Sequence, residues 1–162
     1  MTTSSPHTKR KLTLRSARLS DRQFVLDLAD RLVSFDVPAW RDKPELVEGD
    51  RRALAEWFDL QNDTQAMYIA ELDGQPAGCA YLVTLVDYFN LNAHAHLSVL
   101  AVTADAEGQG VGTALIDQSI AWAKERGSDR LTLSALVTNS RARALYERKG
   151  FSGEYIRYVL PL

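Results

Sequence analysis

Apolar and polar residues alternate over Leu12-Thr-Leu-Arg, a period that predicts a short β-strand. Behind it, Phe24, Leu28 and Leu32 recur at helical spacing after Ser20 and Gln23, a capping-box pair, so a helix is expected there. Pro44 then opens a second helix carrying Leu46, Leu54 and Trp57. Two β-rich runs, Met67 to Leu72 and Ala77 to Val86, flank Asp73-Gly74-Gln75-Pro76, and Asp-Gly at such a junction predicts an antiparallel hairpin. The next run, Ala93 to Val102, alternates. Ala95, Leu97, Val99 and Ala101 fall on one face, with His94, His96, Ser98, Leu100 and Val102 on the other. From Gly110 to Arg126 the apolar residues cover about half of a helical circumference, and Gly127 suits the C-terminal cap. Leu131 to Val137 reads as a strand, Asn139 to Lys149 as a helix ended by Gly150, and Glu154 to Leu160 as a last strand open to a second copy in a homodimer. The order of elements predicts an α/β (α+β) fold.

With 162 residues, 46% of them hydrophobic, the chain can bury the core of one domain, expected over residues 11–162. The polar segment 1–10 carries no periodicity and is expected to be a disordered tail without the apolar run of a signal peptide. A net charge of −2 and the absence of any Lys/Arg-rich run argue against nucleic acid or a membrane as partner. The single cysteine, Cys79, allows no internal disulfide, which suits a reducing, cytoplasmic compartment. No C-x-x-C or His-x-x-x-His spacing offers a metal site.

The chemistry concentrates where the alternating strand ends. Val102 leads into Glu107-Gly108-Gln109-Gly110-Val111-Gly112-Thr113, a glycine-rich turn that opens directly into a helix. Glycines admit a ligand close to the backbone, and the unpaired amides of a first helical turn favour an anion such as a phosphate. A P-loop would place Gly-Lys-Ser/Thr at its end, whereas Gly112 is followed by Thr113 without a lysine. A dinucleotide fingerprint needs a third glycine where Thr113 or Ala114 stands, and an acidic residue closing the next strand. The same turn could serve packing alone. Further on, Asn139 and Tyr146 are seven apart, two helical turns, so both can face one ligand. Asn139 equally suits an N-cap, and Tyr146 a core aromatic with its hydroxyl at the surface.

Residues 107 to 112 occupy a pattern close to Gln/Arg-x-x-Gly-x-Gly/Ala, and residues 139 to 151 carry Asn-x-x-Ala-x-x-Leu-Tyr-x-x-x-Gly-Phe nearly intact. In these two ordered motifs the chain resembles the GNAT superfamily of N-acetyltransferases. The resemblance implies a mixed, mostly antiparallel sheet flanked by helices and splayed between its fourth and fifth strands. It also implies acetyl-coenzyme A as donor and a primary amine as acceptor. On that reading, backbone at Leu100 and Val102 pairs with the pantetheine arm, and the Val102 amide polarises the thioester carbonyl. Gly108, Gln109, Gly110, Val111, Gly112 and Thr113 hold the pyrophosphate, and Asn139 lies on the pantetheine side. Tyr146 would hydrogen-bond or protonate the leaving thiolate. His94 or His96 would serve as base, with Ser98 standing where many relatives have a glutamate. Asp36, Trp40, Asp87, Tyr88 and Ser98 are the candidates for holding the amine, a small molecule by preference. A protein lysine or N-terminus, or a non-catalytic acyl-coenzyme A sensor, is the alternative. One departure from the pattern matters: Glu107 replaces Gln or Arg. Its carboxylate would repel the pyrophosphate if it pointed inward but is tolerated if it turns to solvent, so weakened affinity at most is expected.

Overall fold

A computed structural model describes residues 10–162. The expected tail lies outside the described residues except for Arg10, whose guanidinium pairs with Asp73 at 3.0 Å. Five strands form one sheet in sequence order: β1 (Leu12–Ser16), β2 (Gln65–Leu72), β3 (Gln75–Val86), β4 (Ala93–Val102) and β5 (Leu131–Leu133). The first four are antiparallel and β5 joins β4 in parallel. The β2–β3 hairpin turns on Asp73 and Gly74, both at positive φ (53° and 78°), as a two-residue turn of matching twist requires. Helices α1 (Arg22–Asp27) and α2 (Lys43–Leu60) cover one face; α3 (Val111–Glu125) and α4 (Ser140–Arg148) cover the other.

The α2 helix starts as its sequence predicts, with Pro44 in the first turn and Asp42 capping it through the Glu45 amide. The first helical region does not form one regular helix. It breaks into 3-10 turns at Leu19–Asp21 and Leu28–Val33 on either side of α1. In place of the expected Ser20/Gln23 box, the Asp21 carboxylate accepts from the Arg18 amide at 2.7 Å. Two guanidinium nitrogens of Arg15 also grip that carboxylate, at 2.7 and 2.9 Å, while Arg15 Nε binds Glu71 at 2.6 Å. This buried pairing ties β1 to the first turn and to β2, and it overrides the local capping signal.

An irregularity in β4 sets the geometry of the site. Tyr81 faces Val99 on β4, but the next β3 residue, Leu82, faces Leu97, so Ser98 is an extra residue in the strand. Such a bulge reverses which side of the sheet each later side chain occupies. Ala95 and Leu97 therefore pack on the α3 side, whereas Val99 and Ala101 join the α1/α2 core and Leu100 and Val102 turn to α3. The uninterrupted alternation expected from the sequence is corrected accordingly. His94 and His96 face the α1/α2 side, not the side of Leu100 and Val102.

The predicted strands near the C-terminus shrink. β5 ends at Leu133, and a turn closed by the Asn139 amide on the Leu136 carbonyl (2.9 Å) carries the chain away from the sheet. Residues 154 to 160, expected as a last strand, hold no regular structure and are exposed, with Tyr155, Ile156 and Tyr158 all more than three quarters accessible. Their β-propensity alone does not make a strand, because a strand exists only through its ladder partner and β5 presents a three-residue edge. The strand edge expected to pair two copies is thus absent from residues 154–160.

Candidate active site

β4 runs five residues past its last pairing with β5, which covers only Ala95 to Leu97. Between Ser98 and Val102 the outer edge of β4 therefore has no strand beside it among the described residues. The direction of the backbone groups follows from the ladder. The Thr103 amide donates to the Ala77 carbonyl at 2.9 Å, which makes Gly78 and Val102 a non-hydrogen-bonded pair. The amide and carbonyl of Val102, and of Leu100 two residues earlier, consequently point away from β3 into the gap. Arg31, from the 3-10 turn Leu28–Val33, reaches the Val102 carbonyl with Nε at 3.5 Å.

The gap opens onto the glycine-rich turn. A 3-10 turn, Ala104–Ala106, leads through Glu107 to Gly108 and Gly110, at φ 73° and 82°, conformations that favour glycine. A Cβ at either glycine would meet nothing within 4 Å among the described residues, which leaves space above both for a ligand. Gly110 caps α3 without a side-chain partner, and the amides of Val111, Gly112 and Thr113 find no acceptor among the described residues. These are the donors an anion would engage. Gly112 has a packing role as well: a Cβ there would touch Leu145 on α4 at 3.5 Å and Val102 at 3.8 Å. The Gln109 side chain does not face the opening; it braces the loop by donating to the Asp105 carbonyl at 2.6 Å.

Glu107 neither points at the anion site nor floats free in solvent. Oε1 accepts from Arg31 at 2.5 Å and Oε2 from Arg141 at 2.7 Å, so the carboxylate sits between guanidinium groups from two other elements. Hydrogen bonding to Arg141 first, then the charges of both arginines, holds its pKa below the usual carboxylate value. Glu107 thus takes neither the inward nor the solvent-facing orientation weighed above, because the two arginines hold its carboxylate.

α4 is held to α3 by an ion pair between Lys149 and Asp117, and its Leu145 and Tyr146 pack against the α3 core together with Phe151. Tyr146 and Phe151 meet edge to face at 6.0 Å, and burial pushes the phenol pKa up. Tyr146 thus keeps its proton throughout the physiological range. Asn139 caps α4, its Oδ1 accepting from the Ala142 amide at 3.2 Å, which leaves its NH2 group as a donor.

His94 and His96 meet at a residue the sequence reading passed over. Thr132 Oγ1 lies 3.1 Å from His94 Nε2 and 2.8 Å from His96 Nδ1. His94 is 7% exposed and buried among the sheet residues, whereas Ser98 on the bulge is open. Burial first, then the neighbouring His94, lowers the His96 pKa below its ordinary value, which favours the neutral ring.

Of the five proposed acceptor residues, Ser98 lies exposed on the β4 bulge and the other four separate into two places. Asp36 and Trp40 are exposed in the segment after the turn that carries Arg31. Asp87 and Tyr88 precede the start of β4, which at ~3.3 Å per residue puts them roughly 30 Å from Val102. The Asp87 carboxylate is already engaged. It accepts from the Phe89 and Asn90 amides at 2.9 and 3.0 Å and pairs with Arg130 at 2.9 Å, so it orders its own loop. Tyr88 stands 87% exposed on that loop. Arg31, Arg141 and Thr132 are the site residues without a sequence signal. Their partners lie 76, 34 and at least 36 positions away, beyond any local pattern.

The model of the acetyltransferase (GNAT) family matches residues 28–151. A mycothiol acetyltransferase of Clavibacter sepedonicus is 32% identical over 133 residues, 79% of this chain and 41% of that protein. An uncharacterized N-acetyltransferase of Methanocaldococcus jannaschii is 30% identical over 105 residues, 62% of this chain and 46% of its own. The matched region thus spans less than half the length of these curated relatives. Among solved structures, an aminoglycoside N-acetyltransferase in complex with coenzyme A superimposes with a TM-score of 0.70 at 18% identity, over 98% of this chain and 99% of that one. At that identity the likeness is one of fold.

Proposed function

The chain belongs to the acetyltransferase (GNAT) family, and from that premise we propose that it moves the acetyl group of acetyl-coenzyme A onto a primary amine of a small molecule. The observation that carries this reading is the continuous line of backbone donors from the open β4 edge at Leu100 and Val102 to the bare amides of Val111, Gly112 and Thr113. An extended amide-containing arm suits the first part and a pyrophosphate the second. Acetyl-coenzyme A supplies the activated acyl thioester; the remaining work falls to the chain. The Val102 amide donates to the carbonyl oxygen as negative charge develops there. Tyr146, kept protonated by burial, donates to the departing sulfur. Asn139 steadies the arm through its free NH2 group.

The acceptor needs a base. An alkylammonium of pKa about 10.4 loses its proton at neutral pH at a cost of about 4–5 kcal/mol. His96 supplies that base through intervening water, because it stands six residues before Val102 on β4, and His94 lies too deep to meet a substrate. Ser98, exposed beside it, offers a hydroxyl to the amine, and Asp36 with Trp40 provides a carboxylate and an aromatic face for a cation. Two names support a small acceptor: one relative is called a mycothiol acetyltransferase, and one structural neighbour an aminoglycoside N-acetyltransferase. The test is release of free thiol from acetyl-coenzyme A across a panel of polyamines, amino sugars, amino acids and lysine peptides. Acceptor-dependent release with a small amine supports the reading, and release with peptides alone moves the acceptor to a protein. Coenzyme A binding without release for any acceptor identifies a sensor.

A further inference from the structure

We infer that Thr132 is a positioning residue that locks His96 in the tautomer carrying its proton on Nδ1, leaving the Nε2 lone pair free to take a proton from the acceptor amine. The inference rests on the assignment of His96 as base made above, and it follows from a hydrogen count. A threonine hydroxyl has one hydrogen and two lone pairs. Thr132 Oγ1 has three neighbours at bonding distance: His94 Nε2 at 3.1 Å, His96 Nδ1 at 2.8 Å and the Ala95 carbonyl at 3.4 Å. The carbonyl can only accept, so the single hydroxyl hydrogen turns to Ala95 in the longest of the three contacts, 3.4 Å, and the two shorter ones fall to the lone pairs. Both imidazoles must then donate into the two lone pairs. This is the one arrangement in which all three contacts are made at once.

The arrangement also accounts for an orphaned atom. His94 Nδ1 is buried without a hydrogen-bond partner among the described residues. With its proton on Nε2, His94 leaves a bare lone pair there instead of a stranded N–H, and buried donors without partners are the costlier defect. His94 thus occupies one lone pair of Thr132, and the other is left for the His96 Nδ1 proton alone. The placement in the fold agrees. His96 and Thr132 are register partners one rung before the end of β4–β5 pairing, at the foot of the gap in which the Leu100 and Val102 backbone groups are displayed. Leu131 and Leu133 face the α3 core, which puts the Thr132 hydroxyl between them on the histidine side. The step is a proton relay: the amine N–H bond breaks, its electron pair stays on nitrogen for attack on the acyl carbon, intervening water accepts that proton while passing on its own, and an Nε2–H bond forms on His96. His96 lies roughly 15–20 Å along β4 from Val102.

The test reads the tautomers directly by nitrogen-15 NMR of imidazole-labelled protein at pH 8, alongside steady-state kinetics of Thr132→Val and Thr132→Ser. In the unaltered protein His96 is expected to carry its proton on Nδ1 and His94 on Nε2. Thr132→Ser retains both signatures and turnover within about twofold, since it keeps the hydroxyl. Thr132→Val, equal in shape but without an acceptor, loses the His96 signature and lowers kcat about tenfold, the scale on which orienting partners of an imidazole act, with KM for acetyl-coenzyme A unchanged. Unaltered thermal melting of either variant shows that the fold persists. A proton on Nε2 of His96 in the unaltered protein overturns the proposal whatever the activity. The expected tautomers with kcat indifferent to Thr132→Val show the lock without a base behind it, and refute His96 instead.

Discussion

Replacing Glu107 by Gln restores the residue type the motif usually carries, and the structure determines what should follow. The carboxylate lies between Arg31 and Arg141, with side chains about a third exposed for Glu107 and Arg31 and 70% exposed for Arg141. Ion pairs that wet contribute only ~0.2–1 kcal/mol each, so the substitution should lower stability by no more than about 2 kcal/mol. Its effect on coenzyme A is opposite in sign. Glu107 precedes the cradle by a few residues; taking its carboxylate as about 8 Å from a bound phosphate, each charge pair is worth ~0.5 kcal/mol in water, or ~1 kcal/mol for a pyrophosphate. Screening over roughly one Debye length at physiological salt leaves about a third of that. Removing the repulsion and freeing two guanidinium groups should therefore tighten coenzyme A about twofold at 0.15 M salt and about fourfold at 0.01 M. Isothermal titration at the two salt concentrations measures both numbers. Binding that weakens severalfold at either salt would refute the reasoning, because it would mean that the carboxylate is needed to hold the arginines for the phosphates.

Tyr146→Phe should lower kcat by about 10- to 100-fold while coenzyme A affinity stays within twofold, as rate assays and titration can separate, because only the donor to the leaving sulfur is lost. Gly78→Ala places a Cβ 2.7 Å from the Ala101 carbonyl and 3.0 Å from Val111, and neither backbone nor packed helix can give way freely, so thermal melting should show a loss of ~1–3 kcal/mol. The Arg15–Asp21 pairing predicts a pH dependence: hydrogen bonding to Arg15 lowers the Asp21 pKa below 3.8, so its stabilisation is complete above that value and is lost as pH falls through the lower folded value. Asp21→Asn should cost about 2–4 kcal/mol at pH 7, and the gap to the unaltered protein should narrow in melts below pH 4; a constant gap would sink the account.

The motifs were legible because their physics is local. Gly108, Gly110 and the start of α3 are set by backbone freedom at single residues and by amides that any helix leaves unpaired. The Asn139 cap and the Asp-Gly hairpin need only neighbours two or three positions away. What the chain alone could not reveal depends on partners distant in sequence. The bulge at Ser98 leaves no mark on an alternating strand, since it is defined by the register of β3 against β4; yet it decides which face the histidines and Val102 occupy. Glu107 read as a charge out of place until folding brought Arg31 and Arg141 against it. Thr132 is one polar residue between two leucines until β5 sets it beside His96, and residues 154–160 have the composition of a strand without a ladder to join. Local chemistry thus determined the cradle and the kind of ligand it suits, whereas tertiary pairing decided the direction of each side chain, because register and charge compensation are properties of two segments and not of either one.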